Sequence, residues 1–337
     1  MGLGLGSMSI QYNLIPFSET VRDAYLDLLT QQQKEVALGK LEWKFANNPK
    51  GLGMIASATK DGRIVGINAF MANMFQVDGF LCLGYQSMDT VVSPDVRGQG
   101  VFGRLVETFY DQCNAELVYG FPNSNSAPGF FGKLGWTNFG AVPMLIRPLR
   151  TGYFLKRFVG IAPDFRIPLL SQIHVSTERI TRFTQQDTET WMKFSSSNFC
   201  SVQRDADFLN WRLMDHPTEN YDTQRAVDGS FVASTLTLKH AGSVGYVMEA
   251  IGDEATLAAL IGTTLRQMQT RGADVALAWC LPGSPNYRAY RKAGFFPFPV
   301  GLRPIVVNFG ARPIHCVSST IAEKLKWYIS YLDSDTV

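Results

Sequence analysis

The stretch Asp89-Thr-Val-Val-Ser-Pro-Asp-Val-Arg97-Gly-Gln-Gly100-Val-Phe-Gly103-Arg-Leu105 decides the fold of this 337-residue chain. A β-branched run that ends at Val92 predicts a strand, and a polar bend that contains proline follows it. From Val101 onward, apolar residues recur with helical spacing at Leu105, Val106 and Phe109. The order strand, glycine loop and helix is typical of a phosphate-binding structure, because backbone N–H groups in the first helical turn have no partner within the helix and attract an anion.

Two nucleotide-binding motifs compete for this loop. Gly98-x-Gly100-x-x-Gly103 has the spacing of the dinucleotide fingerprint, but residues 93–97 separate it from the strand. The next predicted strand, Glu116 to Phe121, is followed by Pro-Asn-Ser and not by the carboxylate that would bind a ribose. A Walker loop would need Lys-Ser or Lys-Thr after its last glycine, and neither is present.

The residues from Val92 to Gly100 read Val-x-Pro-x-x-Arg-Gly-x-Gly. This pattern resembles the acyl-CoA pyrophosphate loop of the GNAT N-acetyltransferase superfamily, which reads Arg/Gln-x-x-Gly-x-Gly/Ala. Phe102 stands where that family usually has a small residue, and Gly103 follows at once. The resemblance implies that the pantetheine arm runs along Val91 and Val92 and that the pyrophosphate is bound by Arg97, Gly98, Gln99, Gly100, Val101, Phe102 and Gly103.

Composition is that of a globular protein, with 46% hydrophobic and 18% charged residues. A net charge of +2 favours no nucleic-acid partner. The apolar runs are shorter than a membrane span and no signal-peptide pattern is visible, so we expect a cytoplasmic protein. Residues 1–7 resemble an expression tag. The five cysteines and four histidines do not have the spacing of disulfide pairs or of metal ligands, so we expect no metal.

The order of predicted elements indicates an α/β protein with a mixed sheet. An alternating strand, Ile10 to Phe17, is followed by a helix capped by Ser18, and Asp61-Gly62 predicts a tight hairpin turn. After the glycine loop and its helix come a second strand, a short helix near Ala127 and one predicted strand from Thr137 to Leu149. This order matches the fold that the GNAT resemblance implies.

The second half of the sequence repeats the first. Trp211 follows Trp43 by 168 residues, Asp228-Gly229 follows Asp61-Gly62 by 167, Glu249 follows Asp89 by 160 and Gly294 follows Gly135 by 159. We therefore predict two tandem GNAT-like domains at residues 8–150 and 178–337, with a linker at 151–177. The second is degenerate, because only Gly252-Asp253 separates its strand from its helix and the pyrophosphate loop is missing. The tail from Trp327 to Leu332 predicts a last strand.

Acyl transfer to an amine needs a group that accepts the proton of the attacking nitrogen. Asp89 lies eight residues before Arg97, where many family members carry an acidic or polar residue, so it is the candidate general base. The alternatives are a carboxylate that points away from the slot or one that pairs with a nearby cation.

The family commonly protonates the leaving thiolate from a tyrosine, and Phe131 occupies that place here. Ser124, Ser126 or water could serve instead, or the thiolate could leave without help, since a thiol with a pKa near 8.5 is a tolerable leaving group. Asn123 and Asn125 are candidate amide partners of the pantetheine or substrate, and helix capping is an equal alternative. Tyr290 stands at the position of the family's tyrosine, but it lies in the second repeat, which lacks the pyrophosphate loop.

The resemblance thus implies an N-acetyltransferase that moves an acetyl or other acyl group from acetyl-CoA to a primary amine. The pattern Trp43-x-x-x-Asn47-x-Pro49 resembles GNAT members of surface-polysaccharide pathways, so an amino sugar is the leading acceptor among small-molecule amines. A Fem-type aminoacyl or peptidyltransferase is one rival, and the intact CoA loop and the net charge of +2 argue against it. A non-catalytic acyl-CoA sensor is the other, suggested by Phe131.

Overall fold

A computed structural model describes residues 9–32, 38–152, 155, 159–160, 164–169, 175–195, 200–239 and 242–334. The chain divides into two compact units, each built from separate stretches of sequence. Unit 1 takes the chain up to Phe75, then Leu81–Gly140 and Val307–Ser318. Unit 2 takes Gln76–Phe80, Ala141–Val306 and the chain from Ser319 onward. Residues 1–7, which resemble a tag, lie outside the described residues.

The described strands and helices are numbered in chain order. The strands are β1 Gln11–Pro16, β2 Met54–Lys60, β3 Arg63–Val77, β4 Phe80–Val92, β5 Leu117–Gly120, β6 Thr137–Ala141, β7 Met144–Pro148, β8 Thr177–Arg179, β9 Cys200–Val202, β10 Asp222–Ala226, β11 Phe231–Lys239, β12 Gly242–Ile251, β13 Val275–Trp279, β14 Phe296–Pro297 and β15 Asn308–Pro313. The helices are α1 Glu19–Thr30, α2 Leu38–Phe45, α3 Val101–Gln112, α4 Ala127–Gly132, α5 Gln185–Phe194, α6 Ala206–Leu209, α7 Glu254–Thr270 and α8 Tyr287–Lys292.

The sheet of unit 1 runs in the order β1-β2-β3-β4-β5-β15-β6. Its first strands are antiparallel, and β4 and β5 are parallel because helix α3 connects them. The turn Asp61–Gly62 has φ angles of 50° and 75°, the left-handed pair that a tight hairpin requires, so the predicted turn is confirmed.

The sheet of unit 2 has the same order, β8-β10-β11-β12-β13-β7-β14. Here β12 and β13 are parallel, and helix α7 connects them. Both halves of the sequence contribute strands to both sheets, because β7 lies beside β13 in one sheet and β15 lies beside β5 in the other. The mixed α/β class and the duplicated architecture predicted from the sequence are confirmed.

Two predicted strands differ from the structure. The predicted strand from Thr137 to Leu149 is two strands, β6 and β7, which belong to different sheets. Gly140, with φ 75°, and Pro143, which has no N–H, interrupt the ladder between them. The tail also is not a strand: it makes one isolated bridge at Trp327 and a short 3-10 helix at Tyr331–Asp333.

Helix α3 is held on the sheet of unit 1 by one apolar face. Its buried residues Val101, Leu105, Val106 and Phe109 belong to a core cluster that also contains Phe70 of β3. The rings of Phe70 and Phe109 stack with centroids 3.7 Å apart. This packing fixes the start of the helix, and therefore the glycine loop before it, at the end of β4.

Candidate functional site

Strands β4 and β5 run together for four residues and then separate. Their parallel register begins at Gly84 opposite Leu117 and ends at Ser87 opposite Gly120. β5 stops there, whereas β4 continues to Val92. Since β5 cannot supply hydrogen bonds to the backbone of residues 88–92, that side of β4 can bind an extended ligand in the manner of an added strand.

The side chains of β4 change face between Ser87 and Thr90. The side-chain amide of Asn68 on β3 donates to both hydroxyls, at 3.4 Å to Ser87 and 2.9 Å to Thr90. Strand side chains alternate with a period of two, so residues three apart share a face only where the strand contains an extra residue. This irregularity directs Asp89 toward helix α1, where its carboxylate accepts a 2.8 Å hydrogen bond from the hydroxyl of Tyr25.

The glycine loop lies between the end of β4 and the start of α3. Gly98 and Gly100 have φ angles of 79° and 75°, which L-residues with a side chain rarely adopt. A Cβ atom built at Gly98, Gly100 or Gly103 would have no neighbour within 4 Å. The loop is therefore open on the side where its backbone could approach phosphate oxygens.

The N-terminus of α3 has no side-chain cap. Gly100 occupies the N-cap position, and no side chain in the described part of the chain accepts from the first-turn N–H groups in its place. Arg97 is exposed and donates through Nε to the carbonyl of Val92 at 3.2 Å, while Gln99 donates to the carbonyl of Asp95 at 3.3 Å. The arrangement combines a helix dipole, unpaired donors and a cation at one place, and these favour an anion.

Phe102 lies against helix α4. Its ring meets Phe130 edge to face with centroids 5.3 Å apart, and a Cβ at Gly129 would stand 2.6 Å from it. The large residue at this loop position is thus accommodated by a glycine in the neighbouring helix.

The other predicted site residues have structural contacts. Val91 is buried, and Val92 packs on the core cluster beneath α3. Asn123 accepts through Oδ1 from the N–H groups of Asn125, at 2.9 Å, and Ser126, at 3.1 Å, so its carbonyl shapes the turn before α4. A ligand role for these residues stays a prediction.

Phe131 is half-buried and packs in the core of unit 1. A Cβ at Gly310 on β15 would stand 2.4 Å from its ring. Tyr290, which has the corresponding place in unit 2, is 1% exposed, and burial raises its pKa well above the ordinary value. Neither residue is therefore suited to give a proton to a leaving group.

Unit 2 repeats the geometry of the strand pair. β12 and β13 stay in parallel register until Val247 opposite Ala278, and the pairing of β11 with β12 skips Met248. Met248 is thus the extra residue of β12; it follows Met88 by 160 residues, the offset at which Glu249 follows Asp89.

The corresponding place in unit 2 is filled by the chain itself. The amide of Asn286 donates to the backbone carbonyl of Ala250 at 2.9 Å, and the hydroxyl of Tyr328 donates to Glu249. Asp253 caps α7 by accepting from the N–H groups of Ala255 and Thr256. The first-turn N–H groups of α3 in unit 1 therefore have no side-chain acceptor, whereas those of α7 in unit 2 are bonded to Asp253.

A buried ion cluster fixes the C-terminal segment in unit 2. Arg204 contacts Glu249 at 3.0 Å and Asp333 at 2.6 Å, and its side chain has no solvent exposure. Burial alone would lower the pKa of Arg204, but the carboxylates of Asp333 and Glu249 raise it above the ordinary value. Nothing in the periodicity of the sequence signalled this cluster, because its members are far apart along the chain.

No helix in the described ranges is long and apolar enough to cross a membrane. Within those same ranges, no three His, Cys, Asp or Glu side chains are grouped so that they could hold a metal ion.

Residues 15–139 match the family model described as an acetyltransferase (GNAT) domain. A comparison with curated proteins finds no match. The matched range includes β4, the glycine loop, α3 and α4.

Solved structures share the fold over most of the chain. A GCN5-related N-acetyltransferase from Anabaena variabilis is 10% identical with a TM-score of 0.62, covering 91% of this chain and 73% of its own. One from Kribbella flavida is 15% identical with a TM-score of 0.59, covering 91% and 72%. Saccharomyces cerevisiae N-myristoyltransferase with bound myristoyl-CoA is 11% identical with a TM-score of 0.56, covering 96% and 89%. At these identities the likeness is one of fold.

Proposed function

We propose that this chain, whose residues 15–139 match a GNAT acetyltransferase domain, is an acyltransferase, and that its unit 1 transfers an acetyl group from acetyl-CoA to a primary amine. The observation that carries the proposal is the uncapped start of α3 behind two glycines with positive φ, placed at the end of a strand that outruns its parallel neighbour. These are the features that would seat a pyrophosphate and the arm attached to it.

The residues of unit 1 fit acyl-CoA as a co-substrate. The pyrophosphate would accept from backbone N–H groups between Gly98 and Gly103, with Arg97 supplying positive charge. The pantetheine amides would bond to the backbone of β4 beyond Ser87. Seating the donor in this way places the thioester near Asp89, which lies two residues beyond the last paired rung.

Asp89 would accept the proton of the attacking amine. The amine nitrogen bonds to the thioester carbonyl carbon, the carbon–sulfur bond breaks, and the nitrogen gives its proton to the Asp89 carboxylate. The thiolate takes a proton from water, since Phe131 has none to give, and the hydroxide left behind takes the proton that Asp89 accepted, which restores the carboxylate. The hydrogen bond from Tyr25 holds the Asp89 carboxylate on the α1 side of the strand.

The acceptor is proposed to be an amino sugar or another small amine. Part of the pattern that suggests an amino sugar serves the fold, because Trp43 lies on α2 and is buried in the core with 4% exposure. Asn47 and Pro49 of the pattern are exposed, whereas Asn48 between them is buried and donates to the carbonyl of Ala72 at 2.8 Å. An amine panel must therefore include amino acids and polyamines beside amino sugars.

Coenzyme A should raise the melting temperature of the protein. A ligand that binds only the native state stabilises it by about 2.7 kcal/mol at a hundredfold excess over Kd. A thermal shift series with CoA, acetyl-CoA and NAD measures this. If NAD raised the melting temperature and millimolar CoA did not, the glycine loop would be a dinucleotide-binding loop.

Asp89→Asn should lower kcat roughly 100-fold, because the amide cannot accept the amine proton. Its affinity for CoA should stay the same, since the amide oxygen can still accept from Tyr25. The control is Asp111→Asn, an exposed carboxylate on α3 outside the slot. Steady-state kinetics and CoA titration of both variants test the role, and unchanged kcat in Asp89→Asn would remove Asp89 from the mechanism.

The packing of Phe131 favours one second function, a non-catalytic acyl-CoA sensor. Without a tyrosine in that place, the protein could bind acyl-CoA and release no thiol. A thiol-release assay over the amine panel separates the two functions. Acyl-CoA binding without thiol release with any amine would favour the sensor.

A further inference from the structure

Three buried polar side chains link β3, β4 and β5 just before the strands separate. The amide of Asn73 donates to the hydroxyl of Tyr119 at 3.4 Å, and that hydroxyl donates to Oε1 of Gln86 at 3.4 Å. Their exposures are 1%, 1% and 3%, so all three are removed from solvent. We call Asn73, Gln86 and Tyr119 the polar rung.

The polar rung lies at the closed end of the proposed slot. Gln86 is opposite Tyr119 in the parallel register, one position before the last pair, Ser87 and Gly120. The pyrophosphate loop lies at the other end of β4, and the strand between Ser87 and Val92 spans about 16 Å at the rise of a strand. A donor seated on this strand therefore directs its acyl group toward the polar rung.

Aromatic rings hold the polar rung in place. Tyr119 meets Phe75 edge to face with centroids 5.2 Å apart, and Phe121 in the same manner at 5.9 Å. A close-packed interior of this kind leaves little room for added methylene groups. The equivalent rung of unit 2 pairs Tyr246 with Leu277, so the chain does not need a tyrosine at this position to build the fold.

We propose that the polar rung limits the donor of unit 1 to short acyl groups. This inference rests on the proposed function. An alkyl chain that passed Ser87 would have to break the hydrogen bonds of Asn73, Gln86 and Tyr119, and it offers no donor or acceptor in return. An acetyl group ends before that point.

The test is a titration of the wild-type protein with CoA, acetyl-CoA, octanoyl-CoA and myristoyl-CoA. CoA and acetyl-CoA should bind with similar affinity. Octanoyl-CoA and myristoyl-CoA should bind at least roughly 10-fold more weakly, which is the size of loss expected for groups that a pocket is too small to hold. Equal binding of all four would overturn the inference and leave the proposed function intact. No binding of CoA or any acyl-CoA would overturn both.

Variants at Tyr119 separate size from polarity. Tyr119→Leu installs the residue of the unit 2 rung and should improve octanoyl-CoA binding roughly 10-fold relative to CoA. Tyr119→Phe keeps the ring but removes both hydrogen bonds of the hydroxyl, so it should improve that ratio by less than Tyr119→Leu does. Thermal melts establish that each variant is folded, and the wild-type titration stands by itself if Tyr119→Leu is not. An unchanged ratio in folded Tyr119→Leu would contradict a role for this residue in chain length.

Discussion

We expect Gly100→Asp to weaken CoA binding at least roughly 1000-fold, or about 4 kcal/mol, while the protein stays folded. A carboxylate at this position would stand beside the pyrophosphate, and two like charges about 4 Å apart at a protein surface repel by an amount of this order. The fold should tolerate the change, because a Cβ at Gly100 has no neighbour within 4 Å. Isothermal titration with CoA and a thermal melt measure the two effects.

The chain offers a matched control in Gly62→Asp. Gly62 has the same φ of 75° as Gly100, and a Cβ there also has no neighbour within 4 Å. Both variants add the same charge and the same backbone strain, about 1–2 kcal/mol, but Gly62 lies in the turn between β2 and β3. Gly62→Asp should bind CoA normally.

Gly100→Ala distinguishes charge from conformation, since it carries the strain without the carboxylate. Its loss of affinity should fall between that of Gly62→Asp and Gly100→Asp. Gly252 in unit 2 is not a usable control, because φ is 140° and a Cβ would stand 2.1 Å from the hydroxyl of Ser230. Wild-type affinity in Gly100→Asp would mean that the pyrophosphate binds elsewhere.

Arg204→Met should lower the free energy of unfolding by about 3–5 kcal/mol, because it leaves the Glu249 and Asp333 carboxylates buried without their cation. The melting temperature would then fall by about 10 °C. The guanidinium also lies 5.3 Å from the ring centroid of Phe208 and 5.8 Å from that of Trp191, so methionine keeps part of the packing and the charge is the main loss. Scanning calorimetry measures the change.

Arg182→Met is the matched control. Arg182 pairs with Asp215, but their side chains are 59% and 47% exposed, so the variant should lose less than about 1 kcal/mol. In a background that carries Glu249→Gln and Asp333→Asn, Arg204→Met should cost much less, because no unpaired buried charge remains. If Arg204→Met alone were as mild as Arg182→Met, the ion cluster would not be what stabilises the C-terminal segment.

Much of the site was predictable because it is local in sequence. The β-branched run, the loop from Arg97 to Gly103 and the period of α3 lie within 24 consecutive residues, 89–112, and each local preference agrees with the others. The 160-residue offset between Asp89 and Glu249 also predicted a duplicated sheet, and Met248, the extra residue of β12, lies at the same offset from Met88.

The partners of the site residues were not predictable in the same way. Tyr25 is a buried residue of α1, and only the folded chain shows that its hydroxyl donates to Asp89, 64 residues away. The polar rung joins residues up to 46 positions apart, and no short motif records a hydrogen bond over that distance.

The sequence by itself determined the kind of loop, the helix behind it and the repeat, since these depend on backbone preferences and hydrophobic spacing over a few turns. Only the tertiary structure decided that β7 and β15 each join the sheet of the other half of the chain, and that the C-terminal segment lies against Glu249 instead of forming a strand. Strand pairing and burial at these places are settled by which distant partner completes a hydrogen-bond ladder or neutralises a buried charge, and this depends on the whole folded chain.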